Sequence, residues 1–130
     1  MMQNKILYTI FRFGFCAMLL FFGVNQFFHF LPEHVYPKDA QALITAFSNA
    51  GYIFSAVGAL QLLLGITLLF NKNIPLGLLL FAPILANIIL FHLALDFSGM
   101  VKVIPTLLFY VYFLFYYKSY FINLVKVLSK

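Results

Sequence analysis

The side chains able to do chemistry in this sequence are few, and they sit inside long apolar runs. Asn25 and His29 are four residues apart, as are His92 and Asp96. Each pair therefore shares a face wherever its segment is helical. Gln61 and Asn87 make a set of three amides with Asn25. Amides can hydrogen-bond a carbonyl head group or one another, and a carboxylate beside an imidazole favours its protonated form. Polar groups inside a bilayer are costly unless they find partners. Asn25, Gln26, His29, Gln61, Asn87, His92 and Asp96 are thus the positions from which a function has to be argued.

The elements that must position them are apolar helices. Of the 130 residues, 65% are hydrophobic, 20% aromatic and 8% charged, against roughly 25% charged residues in a soluble domain. Residues 10–31, 51–70, 74–95 and 102–120 read as transmembrane helices, each near the roughly 20 residues that cross about 30 Å of hydrocarbon. The expected fold is an all-α membrane protein, a four-transmembrane-helix bundle in a single domain of residues 1–130. No soluble catalytic domain fits, so no independent catalytic activity and no catalytic residue are expected. Pro32 and Pro37 break the chain after span one, since proline lacks the backbone donor and disfavours helix before it. Asp39 reads as the N-cap of a short interfacial helix over 39–49, with Ala40, Leu43, Ile44 and Phe47 on one face. The turn at 71–73 is too short for anything but an antiparallel return. Pro75 and Pro105 fall in first turns, where their missing N–H is harmless. Residues 121–130 are expected to form a further interfacial helix. The apolar run that follows Lys5 shows no small-residue cleavage pattern and reads as an uncleaved anchor.

The net charge of +5 comes from eight Lys and Arg residues scattered between apolar runs, with no basic stripe, so no nucleic-acid partner is expected. Lys5, Arg12, Lys72, Lys118, Lys126 and Lys130 flank one side of the four spans, and only Lys38 and Lys102 the other. The positive-inside rule then puts both termini in the cytoplasm. Glu33, Asp39, Asp96, His29, His34 and His92 gather on or near the outer side. Their spacing carries no metal-binding signature, and no metal is expected. Tyr110, Tyr112, Tyr116, Tyr117 and Tyr120 suggest a cytoplasmic aromatic belt. Cys16 has no second thiol to pair with and reads as a small buried hydrophobe.

Within that frame Asn25 lies about 9 Å below the outer end of span one, and Asn87 about 12 Å below that of span three. Gly58, Gln61 and Gly65 form one stripe, whose glycines let a neighbouring helix approach closely. Pro83 removes a donor one turn before Asn87 and favours a kink. Asn25, Gln61 and Asn87 are expected to meet in the middle to outer part of the bundle, as interhelical glue or as a ligand pocket with Phe28 and Phe91 as apolar walls. His92 lies about 140° around its helix from Asn87, so a single site needs a kink or lies between faces.

Three stretches carry a likeness to a known family: Phe22-Gly23-Val24-Asn25-Gln26-Phe27-Phe28-His29-Phe30-Leu31-Pro32, Gly58-Ala59-Leu60-Gln61-Leu62-Leu63-Leu64-Gly65, and the run Pro83 to Asp96 containing Asn87 and His92. Together they resemble the DoxX family of small four-helix bacterial membrane proteins, over nearly the whole chain. The resemblance implies a bacterial inner-membrane protein, with relatives tied to thiosulfate oxidation coupled to quinone or to thiol and superoxide stress complexes. Gln61 stands where relatives often carry a glutamate, which removes a titratable group, and the cysteines needed to handle sulfur covalently are missing. The reading that follows is an accessory membrane subunit in redox or quinone-linked chemistry. It would bind a quinone or a partner through Asn25, Phe28, His29, Gln61, Asn87, Phe91, His92 and Asp96. Its partners would be the lipid bilayer, a membrane or soluble oxidoreductase and a second copy of the chain. The alternatives are a structural or assembly partner of a membrane complex and a small-solute transporter.

Overall fold

The computed structural model describes residues 2–130, and every regular element in them is helical. The order is α1 (Met2–Phe28), α2 (Lys38–Ala50), α3 (Ile53–Phe70), α4 (Ile74–Ala94), a 3₁₀ turn (Phe97–Gly99), α5 (Met100–Tyr116) and α6 (Lys118–Leu128). Four of these stretches are long and apolar enough to cross a membrane: α1, α3, α4, and α5 together with its leading 3₁₀ turn. Large apolar side chains such as Phe21, Leu63, Leu80, Leu90 and Leu108 point outward from them. A soluble protein rarely exposes a contiguous surface of that kind. The chain is therefore a multi-pass helical membrane protein.

α1 and α3 lie closest together, because small residues alternate across their seam. A β-carbon on Gly58 would meet Gln26 Cβ at 2.7 Å and the Gly23 carbonyl oxygen at 3.0 Å, and one on Gly65 would meet Leu20 at 2.8 Å. Lipid tails are as apolar as leucine, so such close contact is what holds helices together in a membrane. The expected glycine stripe does this work. Cys16 is buried in the same seam, its thiol donating to the Gly65 carbonyl at 3.3 Å.

The buried core, with Phe15, Leu19, Leu64, Leu68, Leu78, Phe81 and Phe113 among its members, occupies one half of the bundle. That half ends where Tyr8 Oη donates to Asn71 Oδ1 at 2.6 Å and lies 2.6 Å from Tyr117 Oη, which ties together the start of α1 and the ends of α3 and α5. Lys5, Lys72, Lys118, Lys126 and Lys130 surround this basic end. Arg12 reaches from α1 to donate to the Leu68 and Leu69 carbonyls at 2.6 and 3.1 Å, closing the C-terminus of α3 with a positive charge. Asn71 and Asn73 turn the chain with φ of 55° and 59°. Asparagine tolerates this left-handed conformation better than most residues do.

Several boundaries differ from expectation. Span one stops at Phe28, not residue 31, because the Asn25 carboxamide accepts from the Leu31 N–H at 2.9 Å and His29 turns left-handed at φ 51°. The helix is broken before Pro32 can break it. α2 starts at Lys38 with Pro37 at its N-cap position, so Asp39 lies in the first turn without capping it. Span four ends at Tyr116, and residues 118–128 form a separate helix after a break at Tyr117. Tyr110 belongs to the interior, donating to the Leu78 carbonyl at 2.7 Å, whereas Tyr112, Tyr116, Tyr117 and Tyr120 stack near the basic end.

Candidate functional site

The end of the bundle opposite Tyr8 carries the chemistry, and Asp96 is its centre. α4 ends at Ala94, and Asp96 leaves helical geometry, with φ −144° and ψ 63°, just before the 3₁₀ turn, so its side chain folds back beneath the turn. It is 2% exposed, the one buried charged side chain among the described residues. Gly99 makes room for it: a β-carbon there would overlap Asp96 Oδ2 and come within 2.7 Å of His92 Nδ1.

Two histidines face that carboxylate. His92 Nδ1 lies 3.3 Å from Asp96 Oδ2 and 3.3 Å from the Asp96 carbonyl oxygen. His34, on the extended segment between α1 and α2, brings Nε2 to 3.9 Å from the same Oδ2. Ser98 donates to Oδ1 at 3.3 Å, but Oδ2 accepts no hydrogen bond. A buried carboxylate oxygen without a donor is costly, and it marks a place where a proton or a ligand donor is wanted.

The second nitrogen of His34 sets its tautomer. Lys102 Nζ lies 2.8 Å from His34 Nδ1. An ammonium group only donates, so Nδ1 accepts and the imidazole hydrogen sits on Nε2, on the side of Asp96. Protonating His34 would turn Nδ1 into a donor and break the contact with Lys102. His92 Nδ1 faces two Asp96 oxygens, so its hydrogen sits on Nδ1. Asp96 Oδ2 thus lies between two imidazoles, that of His92 partly buried and that of His34 half-exposed.

Aromatic rings wall the site. Tyr36 packs edge-on against His34 at 4.6 Å and Phe91 at 5.8 Å, and Phe91 against His92 at 5.1 Å. Burial, and next the negative charge of Asp96, push the Tyr36 phenol above its ordinary range.

The other expected residues do not converge on this site. Asn25 spends its carboxamide on the Leu31 N–H. Asn87 is exposed and bonds only its own helix, donating to the Pro83 carbonyl one turn back at 2.9 Å. Gln61 is partly buried with an unpartnered Oε1. The three amides therefore form no common pocket, and the expectation that they would is corrected. Phe28 is 75% exposed and walls nothing. His29 left the helix with its turn and lines a separate polar recess of about 100 Å³ with Gln26, Ser48 and Ser55. That volume lies well below the roughly 300 Å³ at which small-molecule pockets begin.

Of the eight expected residues, Phe91, His92 and Asp96 come together. His34, Tyr36, Ser98, Gly99 and Lys102 join them without having been singled out for this site. Only the position of His34 among the outer polar residues hinted at its role; its partner Lys102 is 68 positions away. No family model, characterised protein or solved structure matches the chain.

Proposed function

We propose that this is a DoxX-like accessory subunit of the bacterial inner membrane, which exchanges protons with a quinone or a redox partner at its histidine end. The observation that carries the reading is Asp96 Oδ2, buried without a hydrogen bond between His92 and His34. A quinone gains protons as it is reduced and loses them as it is oxidised, and it travels at the depth where a span ends. His92 would hand a proton to, or take one from, the oxygen of the head group, with Asp96 holding the charge and His34 passing the proton onward. Phe91 and Tyr36 supply apolar walls. The basic end, with Lys5, Lys72, Lys118, Lys126 and Lys130, supports a cytoplasmic position for both termini. α2, amphipathic and lightly packed on α3, suits the outer interface.

The test is quinone retention by the full-length protein in quinone-doped nanodiscs, followed by extraction. The wild type should hold a stoichiometric quinone, and Asp96→Asn and His92→Gln should lose most of it while staying folded. Asn87→Leu should change nothing, because that side chain bonds only its own turn. Wild-type protein that takes up no quinone, or retention indifferent to His92 and Asp96, would sink the quinone reading.

A second reading, a structural or assembly partner, draws support from the use of Asn25, Asn87 and Arg12 to satisfy backbone groups. It predicts a co-purifying membrane protein and no quinone. Transport has less support, since Asn25, Gln61 and Asn87 line no common path.

A further inference from the structure

We infer that the basic end binds anionic phospholipid, with α6 lying among the headgroups and an acyl chain seated in the groove between α1 and α5. α6 follows span four after a one-residue break, and no residue of it is buried. At about 100° per residue, Phe121, Leu124, Val125 and Leu128 fall in one arc, and Lys118, Lys126 and Lys130 lie outside it. Phe121 packs partly against the bundle core, whereas Leu124, Val125 and Leu128 are exposed. The arc therefore begins on the protein and runs off it. With only Tyr117 between span and helix and Phe121 held against the core, the start of this arc stays at the level where α5 leaves the hydrocarbon, where the bilayer interface can cover it.

Charge selects the lipid. Lys5, Lys72, Lys118, Lys126 and Lys130 are all exposed, and Glu33, Asp39 and Asp96, the acidic residues of the chain, lie toward the opposite end. A phosphate at the basic end therefore meets no competing carboxylate. An open groove of about 420 Å³ lies at this end, lined by Asn4, Leu7, Tyr112, Phe115 and Tyr116. Lys5 follows the lining residue Asn4 and Lys118 comes two residues after Tyr116, so one phospholipid can lay a chain along the aromatic wall and its phosphate toward the lysines. A soluble acidic protein would satisfy the lysines but leave the Leu124 and Leu128 arc in water. This inference stands apart from the proton site, using none of its residues.

The chain has no tryptophan, so one introduced residue reports alone. In full-length protein reconstituted in vesicles of phosphatidylglycerol with brominated acyl chains, Leu124→Trp should be strongly quenched and Asn123→Trp, on the polar side, several-fold less. Native mass spectrometry with equal phosphatidylglycerol and phosphatidylcholine should show on the order of tenfold preferential retention of the anionic lipid. Lys118→Gln, Lys126→Gln and Lys130→Gln combined should remove most of that preference, as should high salt. These lysines are exposed, so the variant should fold. Equal quenching at positions 123 and 124, equal retention of the two lipids, or a preference unchanged in the triple variant would overturn the inference. So would a lysine-dependent protein partner with Leu124→Trp left unquenched.

Discussion

Gly99→Ala is the sharpest test of the Asp96 site, because it adds one methyl group and changes no chemistry. Gly99 has φ −75° and ψ −9°, angles that alanine adopts freely, so backbone strain plays no part. The added carbon would overlap Asp96 Oδ2 and lie 2.7 Å from His92 Nδ1. Ordinary contact begins near 3.4 Å, so carboxylate, imidazole or the whole turn must move by more than half an ångström. Overpacking of this kind costs about 1–3 kcal/mol. The outcome expected is a loss of that size in detergent-induced unfolding of the full-length protein, with a shifted His92 ring resonance in NMR. Gly51→Ala is the control: nothing lies within 4 Å of its added carbon, but its φ of 84° is left-handed. It should cost about 1 kcal/mol through backbone strain alone and leave His92 unmoved. A Gly99→Ala protein of wild-type stability with an unshifted His92 signal would refute the packed Asp96 site.

Other perturbations probe the rest of the molecule. Gly58→Ala presses on the Gly23 carbonyl, a backbone atom that cannot swing away, and should cost about 1–3 kcal/mol in the same unfolding assay. Arg12→Met removes a charged donor from the Leu68 and Leu69 carbonyls and should cost about 1.5–3 kcal/mol, with Arg12→Lys recovering part of it, since both bonds come from the one nitrogen Nη1 and an ammonium can also donate to two carbonyls. The Tyr36 phenol is raised by burial and then by Asp96. A group whose native pKa is raised stabilises the fold below its unfolded value, about 10 here, and that contribution is lost as pH climbs through the native value. Tyr36→Phe should therefore flatten the fall in stability above about pH 10, read from unfolding midpoints across that range.

The helices were legible because hydrophobic run length and proline position act locally. Span three and the Gly58 and Gly65 stripe needed no knowledge of the rest of the chain. The end of span one was not legible, because a side chain six residues back, Asn25, captures the Leu31 N–H before the proline acts. The amide pocket failed for a related reason. A short asparagine side chain has backbone groups of its own turn or helix end within reach, and that local partner wins over one on another helix. Asn25 and Asn87 both made that choice.

The pairing of His92 with Asp96 was legible in its members but not in its cause. Spacing of four suggested two side chains stacked on one helix, yet the helix has ended by Ala94 and the chain turns Asp96 back under itself. That difference matters for function. On a continuous helix the carboxylate would share the helix surface with lipid, whereas beneath the 3₁₀ turn it is enclosed by Gly99 below and by His34 on the strap across it. Burial of a carboxylate is costly, and at a helix end it can be relieved by groups from other elements without opening the bundle. His34 supplies such a group from a segment held by a few polar contacts, Asn25 to Leu31 and His34 to Lys102 among them. Protonating His34 removes the second of those contacts. On the proposed function, a proton taken up at His34 would exchange the Lys102 contact for a stronger attraction to Asp96, so uptake would rearrange the strap that covers the site.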